Sequence, residues 1–345
     1  MNSHEHHHWL DAHLHQDAVP ADFNLARPHE QYEALLRACR TLPPIKTAVV
    51  HPCDESSLEA VRAAKVGGLI DPVIVGPEAR IRELAARLHL DLANVPLIAA
   101  PHSHAAAEQA VALARSGAVG ALMKGSLHTD ELMSEVIRKD SGIRTARRIS
   151  HVFVMDVPTY PKPLYITDAA VNLFPSLEEK ADILQNAIDL SHALGLKLPK
   201  VAILSAVETI TSKIPSTIDA AALCKMADRG QITGAILDGP LALDNAINIQ
   251  AATTKSIRSA VAGDADILLV PTLEAGNMLV KELTFLANAD AAGIVLGAQV
   301  PIILTSRADS VRARLASCAV ALLYARRTQA ATSFSTDSAK ARSIT

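Results

Sequence analysis

Short apolar runs alternate along this chain with amphipathic segments of helical length. Runs rich in Val, Ile, Leu and Ala predict strands at Thr47–Val50, Val73–Val75, Val119–Met123, Val152–Met155, Val201–Leu204, Ala235–Leu237, Ile267–Val270, Gly293–Leu296 and Ile302–Leu304. Helices are predicted between them at Ser57–Val66, Glu78–Leu88, Ala105–Ser116, Leu177–Leu194 and Ala220–Arg229. Strands that alternate with helices form mostly parallel sheets with helices on both faces. The pattern therefore predicts a doubly wound α/β fold.

The number of predicted strands bears on the domain organisation. A single sheet with so many strands is unusual, and 345 residues are enough for two medium-sized domains. We therefore expect two α/β domains, each with its own sheet. A basic, turn-prone stretch at Arg147–His151 precedes a new strand and predicts the boundary. The pattern leaves open whether the last strand and helix return to the first domain.

Both ends of the chain lack the apolar period that would dock a segment onto a core. The N-terminal end is rich in histidine, at positions 4, 6, 7, 8, 13 and 15. Their spacing matches no structural zinc pattern, so we expect residues 1–25 to form a flexible tail rather than a metal site. Residues 328–345, heavy in Ser, Thr and Ala, are expected to form a second flexible tail.

Charge and composition exclude several classes of partner. The net charge of −3 comes with no basic stripe, so neither nucleic acid nor an anionic membrane surface is an expected partner. Apolar runs such as Ile267–Val270 are too short to span a bilayer, and the N-terminus has no apolar signal-peptide core. The four cysteines are far apart and form no CxxC pair. This usage is typical of reduced thiols in the cytoplasm.

The predicted strand Ile302–Leu304 stops abruptly in a polar run that contains Ser306, Arg307 and Asp309. Ligands of open α/β sheets bind beyond the carboxyl ends of strands. The planar guanidinium of Arg307 suits phosphate or carboxylate oxygens, so this loop is a candidate anion site. One alternative stays open for Ser306 and Asp309, because either side chain could simply cap the helix predicted over residues 310–324.

Further polar residues near predicted strands are candidate phosphate or coenzyme ligands. Lys124 ends a strand, and His128 and Thr129 follow it, although Thr129 could also be a helix cap. Asn277 lies after another strand, next to a glycine that makes it a turn signal as well. Arg144 follows a glycine and precedes a strand, although neighbouring arginines are often only a solvated face. Neither GxxxxGK[ST] nor GxGxxG occurs, so a P-loop or a standard dinucleotide fingerprint is not supported.

Six segments of the chain are highly specific when they are taken together. They are MKGSLHT (123–129), RRISHVFVMD (147–156), YITDAAVN (165–172), LDGPLALDNA (237–246), VAGDADILLVPTLEAGNMLVKELTFLA (261–287) and VPIILTSRADS (300–310). In identity and order they resemble the phosphate acetyltransferase / phosphate butyryltransferase family. The resemblance extends from about Thr47 to Tyr324.

This resemblance implies reversible transfer of a short acyl group, acetyl in preference to butyryl, between coenzyme A and orthophosphate to give acyl phosphate. It implies two α/β domains with the active-site cleft between them. Residues 26–148 and 300–327 would form the first domain, and residues 149–299 would be inserted as the second. Family members are usually homodimers or larger oligomers. Acyl-CoA, orthophosphate and acyl phosphate are the expected partners, and no cofactor or metal is implied.

The resemblance also implies roles for individual residues. Family catalysts map onto Ser306 and Arg307, and a family arginine maps onto Arg144. Acetyltransferase members carry a carboxylate seven residues beyond the serine; that position is Ala313 here, which leaves Asp309 as the substitute base. We expect phosphate, held by the two arginines, to attack the thioester directly. The carboxylate would accept the proton, and the serine hydroxyl would donate to the departing thiolate or the carbonyl oxygen.

Three alternatives stay open. A covalent acyl-enzyme would use Cys53 or Cys224 as the nucleophile, although the sequence suggests no partner for either. A metal- and NAD-dependent dehydrogenase has a similar two-domain fold, but the chain shows no matching carboxylate set or nicotinamide-binding segment. A non-catalytic coenzyme A-binding protein would keep the cleft without turnover, and the reactive groups at residues 306, 307 and 309 argue against it.

Overall fold

The computed structural model describes residues 30–306 and 309–342. Its strands are β1 Ile45–Val50, β2 Ile70–Gly76, β3 Leu97–Ala99, β4 Ala121–Lys124, β5 Ser150–Asp156, β6 Leu164–Thr167, β7 Lys200–Leu204, β8 Ile236–Leu241, β9 Ile267–Leu269, β10 Asp290–Leu296 and β11 Ile302–Ile303. Its helices are α1 Glu30–Cys39, α2 Glu55–Val66, α3 Glu78–Arg87, α4 Ser103–Arg115, α5 Thr129–Val136, α6 Leu177–Ala193, α7 Pro215–Asp228, α8 Leu243–Ile247, α9 Ile249–Thr254, α10 Leu273–Leu286 and α11 Val311–Arg342. The predicted N-terminal tail, residues 1–25, lies outside the described residues.

The eleven described strands belong to one sheet, in the order β3-β2-β1-β4-β11-β10-β5-β6-β9-β7-β8. Three neighbouring pairs are antiparallel, namely β11 with β10, β10 with β5 and β5 with β6, and the other pairs are parallel. The α/β class and the mostly parallel pairing are therefore confirmed. The expectation of two separate sheets does not hold. The short connection from β10 to β11 sets Ile303 opposite Ile294, and this pairing joins the two halves.

The last strand and helix pack against the first part of the chain. β11 lies parallel to β4, with Ile302 opposite Leu122, and α11 contacts α1, α2 and β10. The guanidinium of Arg326 donates to the carbonyl oxygens of Pro43 and Pro44 at 2.9 and 3.1 Å. These contacts are the ones expected of a C-terminal segment that returns to the first domain, whose exact boundaries stay a prediction.

Helices cover both faces of the sheet. On one face a single hydrophobic core extends along both halves, beneath α1, α2, α3, α6, α7 and α11. On the other face the core is divided into two clusters, one beneath α4 and α5 and the other beneath α8, α9 and α10. This division separates the helices of the two halves on that face, where a cleft opens beside α5.

Three elements differ from the sequence-based expectation. β3 and β6 were not predicted, because each begins directly after a proline, Pro96 or Pro163, which interrupts the apolar run. α11 continues to Arg342, through the segment expected to be a flexible tail, since no glycine or proline interrupts it. Among the described residues, no helix is both long and apolar enough to cross a membrane.

Candidate active site

A polar loop follows β11 and carries Ser306 and Asp309. The backbone amide of Ser306 donates to Oδ2 of Asp309 at 2.6 Å, and the amide of Asp309 donates back to the Ser306 carbonyl oxygen at 3.2 Å. The cap of α11 is Ser310, whose Oγ accepts from the amide of Ala313 at 3.2 Å. The helix-cap alternative therefore applies to Ser310, whereas Ser306 and Asp309 close the turn before the helix.

Lys124 ends β4, the parallel neighbour of β11, and so lies at the same edge of the sheet. The lysine is buried, and its Nζ donates to the carbonyl oxygens of Gly125 and Leu127 at 3.3 and 3.1 Å. Gly125 allows this loop to approach β1 closely, because a Cβ there would lie 2.5 Å from the Val50 carbonyl oxygen. The structure thus brings Lys124 close to the Ser306–Asp309 loop.

The Asp309 carboxyl is half-buried between cationic side chains. Burial raises the pKa of Asp309 above its ordinary value. The hydrogen bond from the Ser306 amide and the charges of Arg314 and Lys124 oppose that rise by favouring the ionised form. A carboxyl whose pKa lies above the usual Asp range is a stronger base than an exposed aspartate, which suits proton abstraction.

Arg314 is a site residue that the sequence analysis missed. It lies in the first turns of α11 with only 1% of its surface exposed. Its Nη2 donates to the Ser306 carbonyl oxygen at 3.2 Å, and its Nε lies 3.5 Å from that of Asp309. The signal in the sequence was a cation near a helix N-terminus, where it opposes the macrodipole. Arg307, the predicted anion ligand of this loop, lies outside the described residues.

A cleft of about 600 Å³ opens beside α5, and its charged side chains are three arginines and Asp130. Its lining includes Thr129, Arg144, Arg147, Arg148 and Asn172. Two of these three arginines form ion pairs. Arg147 pairs with Asp189 at 2.7 Å, and Arg148 pairs with Glu179 at 2.8 Å. Arg144 is exposed and forms no ion pair among the described residues, so its charge faces the cleft.

The other predicted ligands occupy different positions around this cleft. Thr129 is the first residue of α5, and His128, which is exposed, precedes it as the N-cap without a capping bond from its side chain. Asn277 lies on α10, where its Nδ2 donates to the Ala169 carbonyl oxygen at 3.2 Å. It therefore contacts the loop whose next residue, Ala170, lines the cleft. The predicted residues thus fall into a group at the β4 and β11 ends and a group around the cleft.

The two candidate nucleophilic cysteines have raised pKa values. Burial raises the pKa of the Cys53 thiol to about 11 and that of the Cys224 thiol to about 12. Since the thiolate is the nucleophile, both side chains are almost entirely in the unreactive form near neutral pH. These raised pKa values do not favour a covalent acyl-enzyme. Within the described part of the chain, no group of three or more His, Cys, Asp or Glu side chains is placed to hold a metal ion.

Comparisons with known proteins agree with the resemblance found in the sequence. Residues 98–322 match the family model described as "Phosphate acetyl/butaryl transferase". The chain is 65% identical to a phosphate acetyltransferase of Rhizobium meliloti, over 87% of this chain and 95% of that protein. It is 42% identical to a phosphate butyryltransferase of Clostridium acetobutylicum, over 81% of this chain and 93% of that protein.

A solved structure shows the same relationship. A branched-chain phosphotransacylase from Enterococcus faecalis V583 superimposes on the protein with a TM-score of 0.70 at 28% identity. The superposition covers 81% of this chain and 99% of that chain. Sequence and architecture therefore agree along most of the protein, and the chain belongs to the phosphate acetyl/butyryl transferase family.

Proposed function

We propose that the protein transfers a short acyl group reversibly between coenzyme A and orthophosphate, giving acyl phosphate, with acetyl as the preferred group. The observation that carries this proposal is the likeness to the Rhizobium meliloti phosphate acetyltransferase across nearly the whole chain. Identity to the butyryltransferase relative is lower, which supports acetyl over butyryl. The dehydrogenase and the non-catalytic alternatives are not favoured, because neither accounts for membership of a transferase family.

The proposed chemistry is direct attack within a complex of both substrates. An oxygen of phosphate bonds to the thioester carbonyl carbon, the carbon–sulfur bond breaks, and the proton lost by phosphate ends on the sulfur of coenzyme A. Asp309 is the proposed base, and Ser306 is the proposed donor to the carbonyl oxygen or the departing thiolate. Arg307 is the proposed ligand of the attacking phosphate, whereas Arg144 lines the cleft and is assigned to coenzyme A. The contact between the Ser306 amide and the Asp309 carboxylate supports this assignment, because it sets the two groups side by side.

The basic cleft supports the binding of coenzyme A, which is elongated and carries several phosphate groups. We assign its phosphates to Arg144 and to Thr129 at the start of α5, where backbone amides also favour an anion. His128 and Asn277 stay proposed ligands at the margin of the cleft. Lys124 is proposed to act through its charge, since its ammonium group is held by two backbone carbonyls. In the proposed domain arrangement, residues of both domains line this cleft.

The proposed reaction uses only its substrates and needs no cofactor or metal, because arginines neutralise the phosphate. We place it in the cytoplasm, and the free state of Cys39, Cys53, Cys224 and Cys318 supports that location.

We also propose that the protein forms a homodimer, or a larger homo-oligomer, through α10. This helix exposes large apolar side chains: Met278 is 65% exposed, Phe285 74% and Leu286 83%. Phe174, 74% exposed, is a further large apolar side chain at the surface. Clustered exposed apolar residues on one helix are typical of a surface that another protein covers.

The test is a steady-state assay of the purified chain with acetyl-, propionyl-, butyryl- and hexanoyl-CoA. Phosphate-dependent release of the coenzyme A thiol and formation of acyl phosphate are followed together. We expect both with acetyl-CoA, at the highest kcat/KM of the series. Absence of phosphate-dependent turnover with all four thioesters would refute the function, whereas a higher kcat/KM with butyryl-CoA would refute only the acyl preference. NADH formation, measured in parallel, would revive the dehydrogenase alternative.

A further inference from the structure

Arg314 occupies a position that is energetically unfavourable for a positive charge. Its side chain is almost completely buried, although removing a guanidinium from water costs several kcal/mol. It is the fourth residue of α11, where a positive charge opposes the helix macrodipole. Among the described residues it forms no ion pair with a carboxylate. Some other interaction must therefore compensate the buried charge.

The compensating groups belong to the loop that carries the proposed catalytic residues. The guanidinium donates to the carbonyl oxygen of Ser306 at 3.2 Å and reaches that of Asp309 at 3.5 Å. The same two residues are joined by a hydrogen bond from the Ser306 amide to the Asp309 carboxylate. The Arg314 side chain, on α11, therefore contacts the backbone of both residues.

We propose that Arg314 is a positioning residue for acyl transfer: its buried guanidinium fixes the backbones of Ser306 and Asp309, so that the serine hydroxyl and the aspartate carboxylate face one substrate. The proposal rests on the function proposed above. Arg314 does not contact substrate in this scheme, because its donors are directed at backbone oxygens. It acts by holding Ser306 and Asp309 in place before phosphate and thioester bind.

The charge of Arg314 adds a second effect that can be measured separately. The described cations that act on the Asp309 carboxyl are Arg314 from α11 and Lys124 from β4, and both lower its pKa against the effect of burial. Without the arginine, Lys124 is the only one of these two cations that opposes the effect of burial, so the pKa of Asp309 rises further. A base works in its deprotonated form, so the acidic limb of the pH–rate profile moves to higher pH.

Two substitutions separate the hydrogen bonds from the charge. Arg314→Met removes both and keeps an unbranched side chain of similar length, whereas Arg314→Lys keeps the charge but offers no planar pair of donors. The matched control is Arg312→Met. Arg312 precedes Arg314 by two residues on the same helix. It pairs instead with Asp290 at 2.8 Å, and its guanidinium carbon lies 3.8 Å from the centre of the Tyr32 ring.

Each variant is assayed for kcat and for the KM values of acetyl-CoA and phosphate across pH. Amide hydrogen exchange of residues 304–310 is measured in the absence of substrate. For Arg314→Met we expect kcat to fall about 100-fold, the scale of one preorganised donor, with the acetyl-CoA KM within threefold. We also expect faster exchange in the loop and an acidic limb at higher pH. Arg314→Lys should lose about tenfold in kcat with its acidic limb in place, and Arg312→Met should match the wild type in every readout.

The outcomes separate this inference from the proposed function. Folded Arg314 variants with wild-type kcat and wild-type loop exchange would overturn the inference, and so would failure of both variants to fold, which would assign Arg314 to stability alone. If only the methionine variant fails to fold, the lysine variant decides. Absence of turnover in the wild type would instead refute the proposed function, and loop exchange would still report whether Arg314 holds the turn.

Discussion

The backbone amide of Ser306 donates a 2.6 Å hydrogen bond to the carboxylate of Asp309. The bond engages Oδ2, and Oδ1 of the same carboxylate is the proposed proton acceptor. It also fixes the direction of the peptide that carries the serine side chain. The proposed base and the proposed hydrogen-bond donor are therefore oriented by the same contact, which makes each sensitive to changes in the other.

Asp309→Asn tests the proposed base while keeping this contact, because the amide oxygen of asparagine still accepts from the Ser306 amide. We expect kcat to fall by about 10²–10⁴-fold, as for loss of a general base. The wild-type rate should decline as pH falls through the raised pKa of Asp309, and this acidic limb should flatten in the variant. Near-normal turnover with an unchanged limb would leave Asp309 as a turn residue only.

Arg307→Lys tests the predicted phosphate ligand. Lysine keeps the charge but lacks the two parallel donors, so we expect a loss of about 10²–10³-fold in kcat/KM, equivalent to about 2–4 kcal/mol. Both kcat and the KM for phosphate should change, because the same bonds bind and orient the nucleophile. Arg312→Lys is the control at the start of α11. Equal activity of the two lysine variants would remove Arg307 from the mechanism.

Ser306→Ala and Ser310→Ala form a matched pair of hydroxyl deletions four residues apart. The first should lower kcat and leave the phosphate KM nearly unchanged, because the hydroxyl serves the thioester. The second should lower the free energy of unfolding by about 1 kcal/mol, since Ser310 caps α11, and leave kcat intact. Steady-state kinetics and thermal unfolding measure both. The assignment fails if the two variants behave alike.

Arg144→Gln tests the unpaired charge in the cleft. We expect the KM for acetyl-CoA to rise about tenfold, a loss of about 1.4 kcal/mol, because glutamine cannot neutralise a phosphate group. Arg147→Gln is the comparison, since its charge already pairs with Asp189 and should contribute less to binding. A larger increase in KM for Arg147→Gln would show that the ion pair opens when coenzyme A binds.

Phe285→Asp tests the proposed dimer. Light scattering of the wild type should give about twice the chain mass of 36.5 kDa at micromolar concentration, and the variant should approach the single-chain value. Val66→Asp is the control, because Val66 is 79% exposed but lies on α2, away from the α10 surface. A wild type that is monomeric, or a control that dissociates equally, would contradict the interface.

The strands were largely predictable because a buried parallel strand leaves a continuous apolar run in the sequence. β3 and β6 were not, since each begins directly after a proline that interrupts such a run. The pairing of β10 with β11 could not be predicted either. These two strands are joined by hydrogen bonds between backbone groups, and the pattern of side chains along the sequence does not identify which strands become neighbours. That pairing produces one sheet where the strand count suggested two.

The candidate site was predictable where chemistry is concentrated within a few residues. Ser306 and Asp309 were found by their position after a strand, and Arg144 by its likeness to a family residue. Arg314 was missed because its partners are backbone carbonyls, which no sequence pattern displays. Lys124 was found as a polar strand end, but its burial under two carbonyls was not, because burial depends on how closely the next loop approaches β1.

The three antiparallel pairs at the centre of the sheet reverse the direction of the strands between its two halves. The carboxyl ends of β4 and β11 point toward one edge, and those of β6 and β9 point toward the opposite edge. The loops that follow these strands therefore leave the two halves of the sheet at opposite rims, and Thr129 after β4 and Asn172 after β6 line one cleft on the face between them. A ligand that contacts both sets of loops lies across this face, and in the proposed scheme its reacting end is the one near Ser306. Length, rather than acyl chemistry alone, then becomes a property by which such a protein can select its substrate.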